Sequence, residues 1–201
     1  MFQIEVASSR VEKYKESSRS PSKIKFASLK DDLKRRDFTI NAMAMDIHPE
    51  TFGDVFDPFD GKSDLKKGLL KTPLEPDKTF SDDPLRMMRA AYFSSKLNFK
   101  IDSKCRSSIN SQSGRIKIVS WERVRDEFIK ILNTPKPSVG LVILQKTGLM
   151  KTIFPEIDIM YDMKQSPEWH HKDIFAHTLQ VVDNTANLTE KMEIRFAALV
   201  H

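Results

Sequence analysis

The sequence has little cysteine and no long apolar run. Among its 201 residues Cys105 is the single cysteine, which excludes an intramolecular disulfide and a cysteine-ligated metal cluster. No apolar stretch approaches the roughly 20 residues that span a bilayer, and residues 1–6 lack the basic and then apolar order of a signal peptide. Internal repeats and low-complexity tracts are absent as well. We therefore expect a cytoplasmic protein without membrane association.

The charge balance is basic. Lys and Arg number 33 against 28 Asp and Glu, which gives a net charge of +5 and an isoelectric point near 9.2. Such a chain favours a polyanionic partner, because Lys and Arg displace the counterions of phosphates. The basic residues can also belong to ordinary solvated faces of the protein. The length, with 39% hydrophobic residues, suffices for one or two globular domains with apolar cores.

The pattern of apolar residues divides the chain near Asp77. The first part is expected to hold a small sheet, and the second to be helical throughout. The predicted extended segments are 2–7, 24–27, 38–47 and 69–74, with a loop over 13–22, a helix from Ser28 to about Arg36 and a short helix over 64–67. The predicted later helices lie around Leu85, Ile109, Ser120 and Val139, and over 149–154, 171–188 and 190–201.

Residues 81–90, SDDPLRMMRA, form the most informative segment. An acid pair is predicted to open a helix, with Pro84 in its first turn. Asp83 and Arg86 would then lie three residues apart on one face and present an acceptor beside a forked donor. Such a pair can read the hydrogen-bonding edge of a nucleotide base. Alternatively, it is a common ion pair on a solvated helix.

Three further segments accompany this one in the chain. Residues 34–43 read KRRDFTINAM, residues 57–65 read DPFDGKSDL and residues 121–127 read WERVRDE. In order and roughly in spacing, the four segments resemble motifs of the class II tRNA nucleotidyltransferases. That family comprises the CCA-adding enzymes and the related bacterial poly(A) polymerases, and the resemblance covers essentially the whole chain.

The resemblance implies an α+β fold. We expect part of a polymerase-β-like nucleotidyltransferase head with few strands, followed by an all-helical neck and body and by the start of an HD domain. The expected divisions are 1–76 for the head, 77–155 for the nucleotide- and RNA-binding helical part, and 156–201 for the HD domain.

The resemblance also assigns roles to side chains. Nucleotide-binding residues are expected in two motifs: Arg35, Arg36, Asp37 and Asn41 for the triphosphate and sugar, and Asp82, Asp83, Arg86 and Arg89 for base selection. The family pattern has Glu where this chain has Asp82, which leaves that residue's helper role open. Structural roles are expected for Asp57, Gly61, Asp64, Arg123 and Glu127, and Arg123 can pair with Glu127 one helical turn away.

Metal sites are likewise implied by the resemblance. The family holds its catalytic Mg²⁺ ions with an Asp-x-Asp pair after a Gly-Gly segment, and neither precedes residue 34 here. Glu5 matches the family's third carboxylate. We therefore expect part of a longer enzyme, inactive in nucleotide transfer by itself. His177 and His201 resemble ligands of an HD-domain site for a second divalent metal. For His177, a buried structural histidine is the alternative.

The favoured function is addition of CCA to tRNA 3′ ends from CTP and ATP, with base selection by protein side chains. A poly(A) polymerase of the same family is the first alternative. An HD-type metal-dependent phosphohydrolase or a non-catalytic RNA-binding module is the second. The expected partner is the acceptor end of tRNA, and no protein partner is indicated.

Overall fold

A computed structural model describes residues 8–15, 18–161 and 174–201, and the side chains within those ranges except for 10–25. Strands β1 (Arg10–Lys15) and β2 (Ser18–Phe26) form an antiparallel pair in which Arg10 lies opposite Phe26. The predicted loop over 13–22 is therefore wrong. Polar residues there form a ladder, with irregular register near Tyr14 and Pro21, because pairing with a neighbour overrides weak strand propensity. The predicted strand 2–7 lies outside the described residues.

The segment after β2 begins with the predicted helix. Helix α1 (Leu29–Lys34) is capped by Ser28, whose Oγ accepts a hydrogen bond from the Asp31 N–H at 3.2 Å. The predicted strand 38–47 is mostly wrong, since Thr39–Asn41 form a 3-10 turn. Within 38–47 only Ala44–Met45 form a strand, β3, which pairs with β4 (Val55–Phe56) across a turn. The Asp37 carboxylate accepts from the Phe38 N–H, which draws the backbone away from a ladder.

A short helix and a parallel strand pair connect this part to the helices. Helix α2 (Gly61–Lys67) packs on the 3-10 turn so closely that a Cβ at Gly61 would collide with the Thr39 carbonyl. Strand β5 (Leu69–Leu70) then pairs in parallel with β6 (Lys100–Ile101). Glycine at position 61 thus permits the approach of α2 to the residues that follow Asp37.

The rest of the described chain is helical. The helices are α3 (Pro76–Asp82), α4 (Leu85–Leu97), α5 (Ser103–Gln112), α6 (Trp121–Leu132), α7 (Pro137–Lys146), α8 (Leu149–Ile153), α9 (Pro155–Asp158), α10 (Ile174–Leu188) and α11 (Met192–Val200). Helix α4 packs against α6 and α7, and α10 packs against α11. This arrangement confirms the predicted α+β fold with few strands followed by helices. No helix in the described ranges is long and apolar enough to cross a membrane.

The apolar core is centred on α4. Met87, Met88, Ala90 and Ala91 are fully buried on it, because the helix has neighbours on more than one side. Its remaining face carries Arg86, Arg89 and the partly buried Phe93. Tight packing of the apolar residues fixes the backbone that presents these polar side chains.

Candidate functional site

A cleft of about 620 Å³ lies where the end of α1, the start of α4 and one face of α6 meet. Three groups of residues line it. The head wall consists of Arg36, Asp37 and Asn41, and the α6 wall consists of Arg123, Asp126, Glu127 and Lys130. Between them are Asp83, Leu85, Arg86, Arg89 and Phe93. Three of the four sequence motifs therefore meet at one place, although they are far apart in the chain.

The head wall is tied together by the Asp37 carboxylate, which is 7% exposed. Its Oδ1 accepts hydrogen bonds from the Phe38 N–H at 2.8 Å and from Asn41 Nδ2 at 3.1 Å. Its Oδ2 accepts from Arg89 Nε at 2.7 Å, and Arg89 Nη2 forms an ion pair with the same oxygen at 2.6 Å. These contacts use most of the carboxylate's acceptor capacity.

Two arginines of the head segment have different environments. Arg36 lines the cleft, and its Nη2 lies 3.4 Å from the buried Asp32 carboxylate. Arg35 donates to Asp32 at 2.6 Å and lies outside the cleft lining given by the described residues. Of the two arginines predicted to bind phosphate, Arg36 lines the cleft that the described residues form, and Arg35 does not.

The motif predicted to select bases, around Asp83 and Arg86, does not form a single helix. Asp82 ends α3, Asp83 is extended with φ −144° and ψ 99°, and α4 begins only at Leu85. The prediction that Asp83 and Arg86 share one helical face is therefore wrong, because Pro84 follows a break between two helices. Both residues nevertheless line the same cleft.

Each residue of this motif is anchored separately. Asp83 Oδ1 accepts from the Leu85 N–H at 3.3 Å. Arg86 donates from Nη1 to the Thr79 carbonyl at 3.3 Å and from Nη2 to the Arg35 carbonyl at 2.6 Å. Asp82 pairs instead with Lys78 at 3.6 Å on the exterior of α3. Arg86 thereby connects the helical part directly to the head segment.

The α6 wall follows helical spacing at positions 123, 126, 127 and 130. The predicted Arg123–Glu127 pair is not formed in the described structure. Instead, Glu127 Oε2 accepts from Lys130 Nζ at 2.9 Å, and Arg123 Nη2 lies 3.8 Å from Asp83 Oδ2. The sequence reasoning missed Asp126 and Lys130 as cleft residues, although their spacing from Arg123 could have identified them.

The remaining motif supports the cleft from behind. Asp57 accepts from the Gly61 and Lys62 N–H groups at 2.8 Å each and so caps α2. Partial burial raises the pKa of Asp57, but the backbone N–H donors of Lys62 and Gly61 outweigh it and hold that pKa below its ordinary value. The buried Asp64 accepts from Thr39 Oγ1 at 2.7 Å, which fixes the turn beside Asp37. These contacts hold α2 and the turn in place, and the structural role of this motif stays a prediction.

Two of the three predicted metal ligands, His177 and His201, lie side by side in the part of the chain that the structure describes. Glu5 lies outside the described residues. The rings of His177 and His201 are 5.7 Å apart between centroids, and a ring nitrogen of His201 lies 2.9 Å from the Ala198 carbonyl oxygen. Among the described residues no group of three or more His, Cys, Asp or Glu is placed to hold a metal ion. The described side chains therefore supply two neighbouring imidazoles and no third ligand, and the HD-domain metal site stays a prediction.

Two family models match separate parts of the chain. Residues 2–71 match the poly(A) polymerase head domain, and residues 98–160 match a domain described as the probable RNA- and SrmB-binding site of polymerase A. The multifunctional CCA protein of Vibrio parahaemolyticus is 37% identical over 179 residues, which are 86% of this chain and 42% of that protein. The chain thus spans less than half the length of this relative.

Two solved structures show the same fold. The Bacillus stearothermophilus CCA-adding enzyme in complex with CTP superposes with a TM-score of 0.66 at 27% identity, over 89% of this chain and 45% of that one. An apo form of a CCA-adding enzyme superposes with a TM-score of 0.73 at 26% identity, over 96% of this chain and 43% of that one.

Proposed function

We propose that this chain is part of a CCA-adding enzyme. The premise is that the chain belongs to the family of class II tRNA nucleotidyltransferases and poly(A) polymerases. The CCA-adding enzyme would extend tRNA 3′ ends with CTP and ATP as substrates. The observation that carries the proposal is the cleft, where Arg36 and Asp37 meet Asp83 and Arg86. Its volume of about 620 Å³ is in the range of sites for small molecules of nucleotide size.

The head wall supplies groups for the triphosphate and sugar. Arg36 is half-exposed at the cleft and can fork phosphate oxygens. Asp37 belongs to the motif expected to bind the triphosphate and sugar, but its carboxylate is already engaged by Asn41 and Arg89. We therefore infer that Asp37 mainly fixes these two side chains, and that Asn41 offers its amide oxygen to the sugar. Arg89 then contributes positive charge beside Arg36.

Asp83 and Arg86 supply base selection. Arg86 uses one hydrogen of each Nη on a backbone carbonyl, so its remaining N–H groups can reach a base. The Oδ2 atom of Asp83 can accept from the exocyclic amine that cytosine and adenine share. Uracil and guanine present a carbonyl oxygen at the corresponding position, which Asp83 would repel. Protein side chains would thus select CTP and ATP without a nucleic-acid template.

Metal chemistry stays a prediction for the whole protein. Mg²⁺ would neutralise triphosphate charge when bound, but the described residues do not form its site. Glu5 as a catalytic carboxylate, and His177 with His201 as HD-domain ligands, likewise remain proposals. The same holds for the divisions at residues 76 and 155, for the cytoplasm as location, and for tRNA as the partner that the basic net charge of +5 favours.

A poly(A) polymerase is the second candidate, and the match of residues 2–71 to the poly(A) polymerase head domain favours it. The two functions differ in nucleotide choice. The whole enzyme that contains this chain should incorporate labelled C and then A into tRNA lacking its 3′ CCA. Incorporation of A alone, repeated many times, would identify the polymerase instead.

Binding to this chain tests the cleft directly. Equilibrium dissociation constants for CTP, ATP, UTP and GTP should show a preference for the first two, and Arg86→Ala should reduce that preference by about 1–3 kcal/mol. Arg125→Ala is the matched control, since Arg125 lies on α6 outside the cleft lining and pairs with Asp126 at 2.9 Å. Equal affinities for all four nucleotides in the parent chain would contradict the proposal.

A further inference from the structure

The α6 wall contains buried charged atoms that its neighbours leave unsatisfied. Glu127 is 2% exposed, and its Oε1 has no hydrogen-bond partner among the described residues. Arg123 Nη1 is also buried without a hydrogen-bond partner in that part of the chain. An unmade hydrogen bond of a buried charged group costs about 1–3 kcal/mol or more, so two of them at the wall of one cleft require an explanation.

We propose that Arg123 is a positioning residue for nucleobase selection and acts through the Asp83 carboxylate. The inference rests on the proposed function, because it concerns the same cleft and deepens how that cleft distinguishes bases. The family resemblance implies only a structural role for Arg123. The geometry places its guanidinium beside the one carboxylate that is expected to read the base.

The two members of the base-reading pair depend on different parts of the molecule. Arg86 is held by two backbone carbonyls, those of Thr79 and Arg35, so its position does not require α6. Asp83 lies in an extended link between two helices, where its Oδ1 accepts from Leu85. Its Oδ2 faces Arg123 Nη2 at 3.8 Å. Of the two side chains, Asp83 is therefore the one whose orientation α6 can influence.

The contact between Arg123 and Asp83 is close but not yet a hydrogen bond. A separation of 3.8 Å exceeds the usual 2.7–3.2 Å for N–H···O, so the guanidinium contributes charge and retains its donors. A forked guanidinium that attracts Oδ2 limits rotation of the carboxylate about its bond to Cβ. The acceptor oxygen then points in a defined direction, where it accepts a hydrogen bond from an exocyclic amine and repels a carbonyl oxygen at the same place.

A purely structural role predicts a different outcome. If Arg123 only braces α4 against α6, its loss lowers the melting temperature and weakens every ligand of the cleft to a similar extent. If it positions Asp83, its loss reduces the preference for CTP over UTP and for ATP over GTP. Inorganic tripolyphosphate carries no base, so its affinity should then stay within twofold, on the order of the scatter between neutral surface variants.

The experiment measures dissociation constants of CTP, UTP, ATP, GTP and tripolyphosphate for the 201-residue chain, together with melting temperatures. The variants are Arg123→Met, Arg123→Lys, Asp83→Asn and the double variant Asp83→Asn with Arg123→Met. Arg125→Met is the matched control on the same helix. Arg123→Met should reduce the CTP to UTP preference about fivefold, and Arg123→Lys should restore part of it because the charge is kept.

The double variant decides whether Arg123 acts through Asp83. On the Asp83→Asn background, Arg123→Met should cause no further loss of preference, since coupled residues are not additive. An unchanged preference in Arg123→Met, or a parallel loss for all five ligands, would overturn this inference while Asp83→Asn still supported the proposed function. A parent chain with no base preference would overturn the proposed function, and this inference with it.

Discussion

The head wall and the α6 wall line one cleft but satisfy their charged groups to different degrees. On the head wall, Asp37 has three hydrogen bonds and an ion pair, and Arg36 is supported by the buried Asp32. On the α6 wall, Glu127 and Arg123 each keep a buried polar atom without a hydrogen-bond partner among the described residues. The side chains of the head wall are therefore held in place without a ligand, whereas the α6 wall still has polar atoms that can form hydrogen bonds.

This difference follows from how each wall is built. The head wall is a compact turn, in which Asp37, Thr39 and Asn41 can bond to nearby backbone and to Asp64. The α6 wall is one face of a regular helix, whose backbone groups are already paired within the helix. Side chains on such a face find partners one turn away, as Glu127 does in Lys130, and otherwise need another element or a ligand. Turns thus make pre-organised sites, and helix faces make sites that a ligand or neighbour completes.

The largest expected effect comes from neutralising the head wall. Asp37→Asn should lower the free energy of unfolding by about 3 kcal/mol, because Arg89 would lose its buried carboxylate partner. Urea denaturation measures this. Asp126→Asn, a cleft acid paired with the exposed Arg125, serves as control and should change stability by less than about 0.5 kcal/mol. Similar losses for both variants would remove the distinction between the walls.

A smaller loss is expected behind the head wall. Thr39→Val should lower the free energy of unfolding by about 1–3 kcal/mol, because the buried Asp64 carboxylate loses the hydroxyl that donates to it at 2.7 Å. The matched control is Thr51→Val, which removes an equally short bond to Asp46 at an exposed site. If the two valine variants have equal denaturation midpoints, burial does not explain the stability of the head wall.

The equivalent acid-to-amide change on the α6 wall should have little effect. The free energy of unfolding of Glu127→Gln is expected to stay within about 1 kcal/mol of the parent value. The substitution removes the ion pair to the half-exposed Lys130, but it also removes the desolvation cost of a buried charge. The same denaturation series measures it. A loss as large as that of Asp37→Asn would mean that both Glu127 oxygens are satisfied in solution.

The smallest effect concerns pH. The pKa of Asp57 is lowered on folding, so its contribution to stability is complete above the ordinary value of 3.8 and is lost as the pH falls through the lower folded pKa. Stability measured between pH 5 and the acid limit, at roughly half-unit steps, should decline less steeply in Asp57→Asn than in the parent. Identical slopes would show that the α2 cap does not depend on the carboxylate charge.

The helical half of the fold was predictable from the sequence. Helices from Ser120 and after Pro137 were expected and are found as α6 and α7, because apolar residues at helical spacing bury one face whatever the partner. The strands were less predictable. The pair β1 and β2 lies in a polar segment, and its ladder depends on a neighbouring strand that no local pattern reveals.

The cleft was predictable as a set of residue types but not as a geometry. Asp83 and Arg86 were identified from their motif, yet the break at Pro84 and the anchoring of Arg86 on the Arg35 carbonyl were not. The sequence determined which charged residues the protein has and, within a regular helix such as α6, which of them share a face, because these follow from spacing along the chain. Only the tertiary structure decided that Arg89 binds Asp37, that Arg123 faces Asp83 and that Glu127 keeps an unsatisfied oxygen within the described residues. Each of these depends on the packing of elements up to 52 residues apart, and the pairing of two charges is fixed by distance in space rather than by separation in the chain.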